Sequence, residues 1–397
     1  MDGQPWREAS SLIIASHVNN LNDEPSTSNS SSSGSTTDTQ PMATNLIEDY
    51  KLLMTKRSAK ASFLASAFVF PGGHLEESDF SPKWWSVFFN SGFTRQDVLG
   101  VVNRIHGPRP PMVVDNQKRL TVMSSVEQQS GTEIAGEDIL PADIALRICA
   151  IRETFEEAGI LLIERMNIGT QSFAPLDSVE LDKWRIEVRE NSDSFADLCL
   201  QLKCSPNIWE LREWWNWLTP NALGHKRFDT MFYLYCSENQ LDAISDGKEV
   251  SQIEWYSPRE LLQLHQNRKA FLAPPQVYEL SRLAHFSQYN RLQEFSISRE
   301  PLGCQRWRPV MTGYQDGTAL LLPGDDMYTR NSSGKESENV NIRSMPTLEE
   351  ARSQTVHFNR IELRVPVLEA HCNIQLACGH ASPPYPVPVQ PVLRSSL

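Results

Sequence analysis

An α+β fold is what this chain of 397 residues predicts, and three observations carry that reading. Short apolar runs of strand composition recur at SSLIIAS (10–16), YKLLMTKR (50–57), SAFVF (66–70) and RFDTMFYLYC (227–236). Between them the spacing of Ile144, Ile148, Ile151 and Phe155 is helical and ends at Gly159, where a glycine is expected to close a helix. With 40% hydrophobic residues, the chain can bury a substantial core.

The first two strands are read as neighbours, with the stretch STSNSSSSGSTT (26–37) looping out between them. Nothing in that stretch can bury apolar surface, so residues 17–45 are expected to form a disordered Ser-rich loop. SAFVF runs into Pro71-Gly72-Gly73, a chain-turning signal. KWWSVFFNSGF (83–93) predicts a short buried helix and a Pro-rich polar stretch follows, so residues 79–141 are read as an insertion. After the helix from Ala142, ILLIE (160–164) predicts a strand, and residues 180–218 predict helices. A turn at Ser245-Asp246-Gly247 leads to a strand IEWYS (253–257), then to a helix opened by Ser257-Pro258 with Glu260 at capping-box spacing. A last helix, PPQVYELSRLAHFSQY, brings the main domain, drawn over residues 6–295, to its end. Residues 296–397 predict a strand-rich C-terminal extension with a Pro-rich tail from Pro383.

A formal charge of -12 leaves no overall basic field for DNA or RNA, which argues against nucleic-acid binding. Seven scattered cysteines read as thiols. His371, Cys372, Cys378 and His380 invite a zinc site, but their spacing is not that of a zinc finger, and a strand pair with buried thiols is the favoured reading. The opening MDGQPWREASSLIIASH has no basic leader, and no apolar run reaches the length of a membrane span. Ser395-Ser396-Leu397 is similar to the peroxisomal address Ser-Lys-Leu without its lysine; an arbitrary tail is the alternative.

The chemistry concentrates in RETFEEAGI (152–160). On a helix, Glu156 and Glu157 lie about 60° to one side and about 40° to the other of Glu153, so three carboxylates share a face. Their repulsion calls for a cation, and a hard divalent ion shared with substrate phosphates suits oxygen ligands. The competing reading is a solvated face with Arg152 in local ion pairs. A strand, a glycine turn and an acidic helix follow in the order a metal–diphosphate site requires.

RETFEEAGI resembles the second half of the Nudix box, Gly-x5-Glu-x7-Arg-Glu-U-x-Glu-Glu-x-Gly-U with U aliphatic, and Thr154 stands at one U position. Gly72 and Gly73 lie about eighty residues before Arg152, so the box is split by the insertion. Its early glutamate stays unassigned between Glu76, Glu77 and Asp79. This arrangement, with the segments WREASSLIIA, WNWLTP, KRFDTMFYL and FLAPPQVYEL, is similar to the long acyl-coenzyme A diphosphatases of peroxisomes and mitochondria. The resemblance covers most of residues 6–295 and implies the Nudix fold, a mixed sheet sandwiched between helices. The coenzyme A motif of related enzymes, Leu-Leu-Thr-x-Arg-Ser-x3-Arg-x3-Gly-x3-Phe-Pro-Gly-Gly, matches from Arg57-Ser58 to Gly73, but Ser62 replaces its second arginine and Ser66 its glycine. Lys51, Lys56, Arg57 and Lys60 are the remaining candidates for the nucleotide phosphates.

The resemblance implies hydrolysis of coenzyme A or its acyl esters at the diphosphate, yielding adenosine 3',5'-bisphosphate and (acyl-)4'-phosphopantetheine. It implies Mg2+ or Mn2+ on Glu153, Glu156 and Glu157, Arg152 orienting those glutamates, and Lys56, Arg57, Gly72 and Gly73 at the substrate. Glu249 is read as the proton acceptor, and Glu254 as pointing to solvent. Trp214, Trp215 and Trp217 read as core, with an apolar wall for an acyl arm as the alternative. His225, Lys226 and Arg227 form either a phosphate contact or a solvated turn. ADP-ribose or NADH as substrate, and a non-catalytic binding protein, are the rival functions. A peroxisomal location with an import receptor as partner is expected, with mitochondrion or cytosol as alternatives.

Overall fold

The computed structural model describes residues 6–18, 48–61, 64–114, 139–166, 178–220, 227–328 and 345–384. Most of the Ser-rich segment, the second part of the insertion, Ser62, His225, Lys226 and the C-terminal tripeptide lie outside them. His17, expected in the loop, still belongs to the first strand, where it pairs with Tyr50.

The strands are β1 (Arg7–His17), β2 (Tyr50–Arg57), β3 (Ala67–Val69), β4 (Gly72–His74), β5 (Ile163–Glu164), β6 (Ser205–Pro206), β7 (Arg212–Leu218), β8 (Phe228–Ser237), β9 (Val250–Tyr256), β10 (Phe271–Leu272), β11 (Arg306–Trp307), β12 (Val310–Tyr314), β13 (Gly317–Leu321), β14 (Asn359–Arg364) and β15 (Val367–Cys372). The helices are α1 (Lys83–Asn90), α2 (Arg95–Asn103), α3 (Pro111–Val114), α4 (Ala142–Ala158), α5 (Ser178–Glu190), α6 (Ser194–Leu202), α7 (Pro258–Gln266), α8 (Pro274–Leu283), α9 (Tyr289–Arg299) and α10 (Leu348–Ser353).

The main sheet is mixed and runs β10-β3-β2-β1-β8-β7-β11. Its centre is β1, parallel to β8 from Arg7↔Phe228 to Ser16↔Ser237. The other edge of β1 is divided: its end pairs with β2 at Ala15↔Leu52, as expected, while its first half pairs with β4 at Ser10↔Gly73. β2 peels away to pair with β9, leaving room for β4 beside β1. β1 is buried on both faces from Ala9 to Ala15, which is why it reads as a continuous apolar run rather than an alternating one. Helix α4 packs across β1 and β4 and so carries its acidic face over the double-glycine turn.

Several elements differ from expectation. Residues 212–218 form β7 rather than a helix: Trp214, Trp215 and Trp217 are all buried because β7 lies inside the sheet between β8 and β11, where neither face meets water and the period-2 signal disappears. ILLIE supplies only the two residues of β5, paired with β6. The strand expected at 253–257 starts at Val250, and the last helix stops at Leu283. A further helix, α9, runs through the boundary drawn at residue 295.

The C-terminal extension is strand-rich, a four-stranded antiparallel sheet in the order β12-β13-β14-β15. It is held inside by the buried Arg360, whose Nε and Nη2 donate to Asp325 at 2.6 and 2.7 Å. It is tied to the main domain by Tyr278 Oη, which donates to Asn359 Oδ1 at 2.6 Å. His371 and Cys372 end β15, whereas the His380 ring packs against Trp214 and Trp215 at 4.4 and 5.0 Å. All seven cysteines are thiols.

Candidate active site

Helix α4 is buried almost all round and closes at Gly159, whose φ of 70° suits a left-handed C-cap. Thr154, at the aliphatic position, stays inside by donating its hydroxyl to Ala150 O at 2.7 Å. From this rigid helix Arg152 reaches in four directions. Its Nε and Nη2 donate to the two Asp79 oxygens at 2.9 and 3.0 Å, and Nη2 also donates to His74 O at 3.0 Å. Its Nη1 donates to Glu153 Oε1 at 3.0 Å and Glu156 Oε1 at 2.7 Å. A planar fork with five donors can serve all these acceptors at once; a lysine could not.

The glycine turn meets the glutamates directly. Gly72 N–H donates to Glu157 Oε2 at 3.3 Å. A Cβ on Gly73 would sit 2.4 Å from the Glu153 carboxyl carbon, and one on Gly72, at φ +152°, would sit 2.3 Å from Ser10 O. Glycine at 73 is therefore what lets the backbone approach the carboxylates, and glycine at 72 is what lets β4 pair with β1.

Burial dominates the electrostatics. It lifts Glu153 to about 7 against the opposing charge of Arg152, with Glu156 and Asp79 adding to the rise. It also raises Glu156, though Arg152 resists. Glu157 is pushed well above the usual carboxylate range by burial and then by Glu153, opposed by the Gly72 N–H and by Arg57. Three carboxylates are thus crowded into a site where Arg152 touches two of them. Among the described residues no three such groups converge as a ready-made ion cage, because Glu153 and Glu156 turn to Arg152 and Glu157 to Gly72. An all-oxygen donor set, desolvated and short of positive charge, fits a hard divalent ion once those side chains rotate toward it.

The other expected residues divide. Arg57 lies in the field of Glu157 and His74. Exposed Glu249 does too: its charge reaches both groups, its N–H donates to Asp246 Oδ2 at 3.1 Å, and its carbonyl accepts from Ser58 N at 2.8 Å. Lys56 turns elsewhere, with Nζ 5.4 Å from the Phe68 ring centroid. Trp214 and Trp217 are core: their indole N–H groups both donate to Glu279, each at 2.7 Å. Arg227 stacks on Trp6 at 4.5 Å. Ser66 adopts φ 60°, the left-handed conformation that explains a glycine at this place in the coenzyme A motif.

One residue left open among three candidates is now assigned, and another escaped the sequence reading. Asp79 is the partner of Arg152, and the Gly-x5-Glu spacing counted from Gly73 falls on it, so that signal was present. Arg185 of α5 donates Nε to Glu156 O at 2.8 Å and Nη2 to Glu157 O at 2.6 Å, satisfying carbonyls that the helix end leaves open. No local pattern announces it.

A mixed sheet, a double-glycine turn and a helix whose arginine orders its own glutamates define a Nudix domain. The chain belongs to the NUDT19 family: the NUDT19 Nudix domain matches residues 6–283 and the NUDT19 C-terminal domain residues 311–373. The acyl-coenzyme A diphosphatase NUDT19 of Xenopus laevis is 36% identical over 372 residues, 90% of each chain. The proteins of that name in Gallus gallus and Homo sapiens are 37% and 32% identical, over 84% and 95% of this chain and 88% and 94% of their own.

Proposed function

We propose that the protein hydrolyses the diphosphate of coenzyme A and acyl-coenzyme A to adenosine 3',5'-bisphosphate and (acyl-)4'-phosphopantetheine. The observation that carries this reading is the Asp79–Arg152–Glu153/Glu156 network set under Gly73, in a chain whose relatives along nearly their whole length bear the diphosphatase name. Glu153, Glu156 and Glu157 would hold Mg2+ or Mn2+, which when bound neutralises the diphosphate and acidifies a water. Arg152, anchored by Asp79, keeps Glu153 and Glu156 on one side of the helix. The Gly72–Gly73 backbone admits the phosphate chain to that side. Arg57 offers a fork to a phosphate oxygen. Glu249, exposed and within the field of Glu157, takes the proton from the attacking water.

A panel of coenzyme A esters, ADP-ribose and NADH, incubated with purified protein and Mg2+ and resolved by mass, tests the substrate class. Adenosine 3',5'-bisphosphate should appear from the esters; AMP from NADH or ADP-ribose alone would replace the proposal with the rival hydrolase. No helix among the described residues is long and apolar enough to cross a membrane. A peroxisomal location rests on the resemblance of Ser395-Ser396-Leu397 to the import tripeptide. Removing Leu397 from a fluorescently tagged chain should then disperse a punctate signal, and puncta that persist would overturn the address.

A further inference from the structure

A second ligand-sized feature lies on the other side of β2 from the carboxylates. It is a cleft of about 280 Å³ bordered by Lys56, Ser66 and Phe68 on one wall and Arg268, Lys269 and Phe271 on the other. The walls are joined by backbone: β10 pairs in parallel with β3 at Phe271↔Ala67 and Leu272↔Phe68. Three cations and no carboxylate line it, in a chain of formal charge -12. Among the described residues none of Lys56, Arg268 and Lys269 forms an ion pair. Phe271 remains 44% exposed, an aromatic face offered beside those charges.

The loop that presents the cations is braced. His265 Nδ1 lies 3.1 Å from Ala270 O, and its Nε2 accepts the Leu368 N–H at 3.0 Å, so β15 clamps the turn and Pro366 closes one side. Arg268 holds φ 60° at the crest of that turn, a conformation that disfavours any side chain with a Cβ. A long cationic residue thus occupies a place where glycine or asparagine would sit more easily. Phe68 lies four residues before Gly72, so at the rise of an extended chain the cleft is within about 13 Å of the glycine turn, a span that a nucleoside bridges.

We infer that this cleft takes the 3'-phosphorylated adenosine end of the substrate, with Arg268 and Lys269 on the 3'-phosphate and Phe271 against the base. The inference rests on the diphosphatase reading above. It also accounts for the loss of the motif arginine at Ser62, because fixed positive charge is supplied from another loop. A purine over an aromatic face, flanked by an arginine fork, is a recurrent way to hold a nucleotide.

Titration calorimetry of the full chain with adenosine 3',5'-bisphosphate and with AMP, without metal, tests it. The wild type should bind the bisphosphate about tenfold or more tighter, the scale of charge-assisted hydrogen bonds to one phosphate. The double variant Arg268→Ala/Lys269→Ala should bind both ligands alike. A control, Lys183→Ala/Arg291→Ala, removes the same charge from exposed sites elsewhere and should keep the preference. Equal binding by the wild type, a preference retained in the double variant, or one lost in the control would each overturn the inference. Preference for the bisphosphate without acyl-coenzyme A hydrolysis would sink only the enzymatic reading; hydrolysis without that preference would sink only the cleft.

Discussion

Glu153→Gln is expected to lower kcat for diphosphate hydrolysis by about a hundredfold or more, the scale on which one preorganised electrostatic group contributes. The fold should survive it. Glutamine keeps the oxygen that accepts from Arg152 Nη1, and the bidentate Asp79 pair that anchors the arginine is untouched. Burial works against the charge at this position, holding the carboxyl at about 7, so an uncharged isostere removes a desolvation cost. The melting temperature should therefore stay level or rise while activity falls, the trade expected where a site is built for function rather than stability. Glu157→Gln should behave alike, because an amide oxygen can still accept the Gly72 N–H. Turnover within about twofold of wild type at saturating Mg2+ would refute the assignment of these carboxylates.

Arg282→Ala is expected to produce the largest loss of stability, about 3–5 kcal/mol, by leaving the buried Glu279 without its counter-charge. Both residues are fully buried. Arg282 Nη1 lies 3.2 Å from each Glu279 oxygen, and its guanidinium sits 4.6, 4.8 and 4.9 Å from the rings of Trp215, Tyr278 and Trp307. Glu279 in turn accepts the indole N–H of Trp214 and of Trp217, so one ion pair organises the aromatic side of β7. Thermal melting should shift down by roughly ten degrees, with Arg282→Lys intermediate because it keeps the charge and loses the flat face. A change below about 1 kcal/mol would mean that the tryptophan cluster holds without the pair.

These two results bear on different readings of the chain. The glutamate helix was legible in advance because its signals are local: apolar residues at helical spacing, carboxylates three and four apart, and a glycine at the end. The pairing of β1 with β2 was equally visible, since two apolar runs flank a Ser-rich segment whose composition predicts a loop. The tryptophan strand was not. In β7, burial on both faces erased the alternation that marks a strand, and neighbouring helices lent it their character. Nor could the sequence tell that Lys56 lies against the Phe68 ring, because alternate side chains along β2 point to opposite faces and only the pairing with β3 brings Phe68 beside it.

By itself the sequence determined the acidic face of α4, the glycine turn opposite it, the family resemblance and the reduced state of the cysteines, all of which depend on neighbours in the chain or on composition. Only the tertiary structure decided that Asp79 anchors Arg152 across the insertion, that Arg185 caps the helix, and that Arg268 and Lys269 face Lys56. The physical reason is that helix periodicity is set within a few residues. A buried ion pair or a shared cleft depends instead on which distant segments the sheet brings together, and loop length hardly penalises that choice.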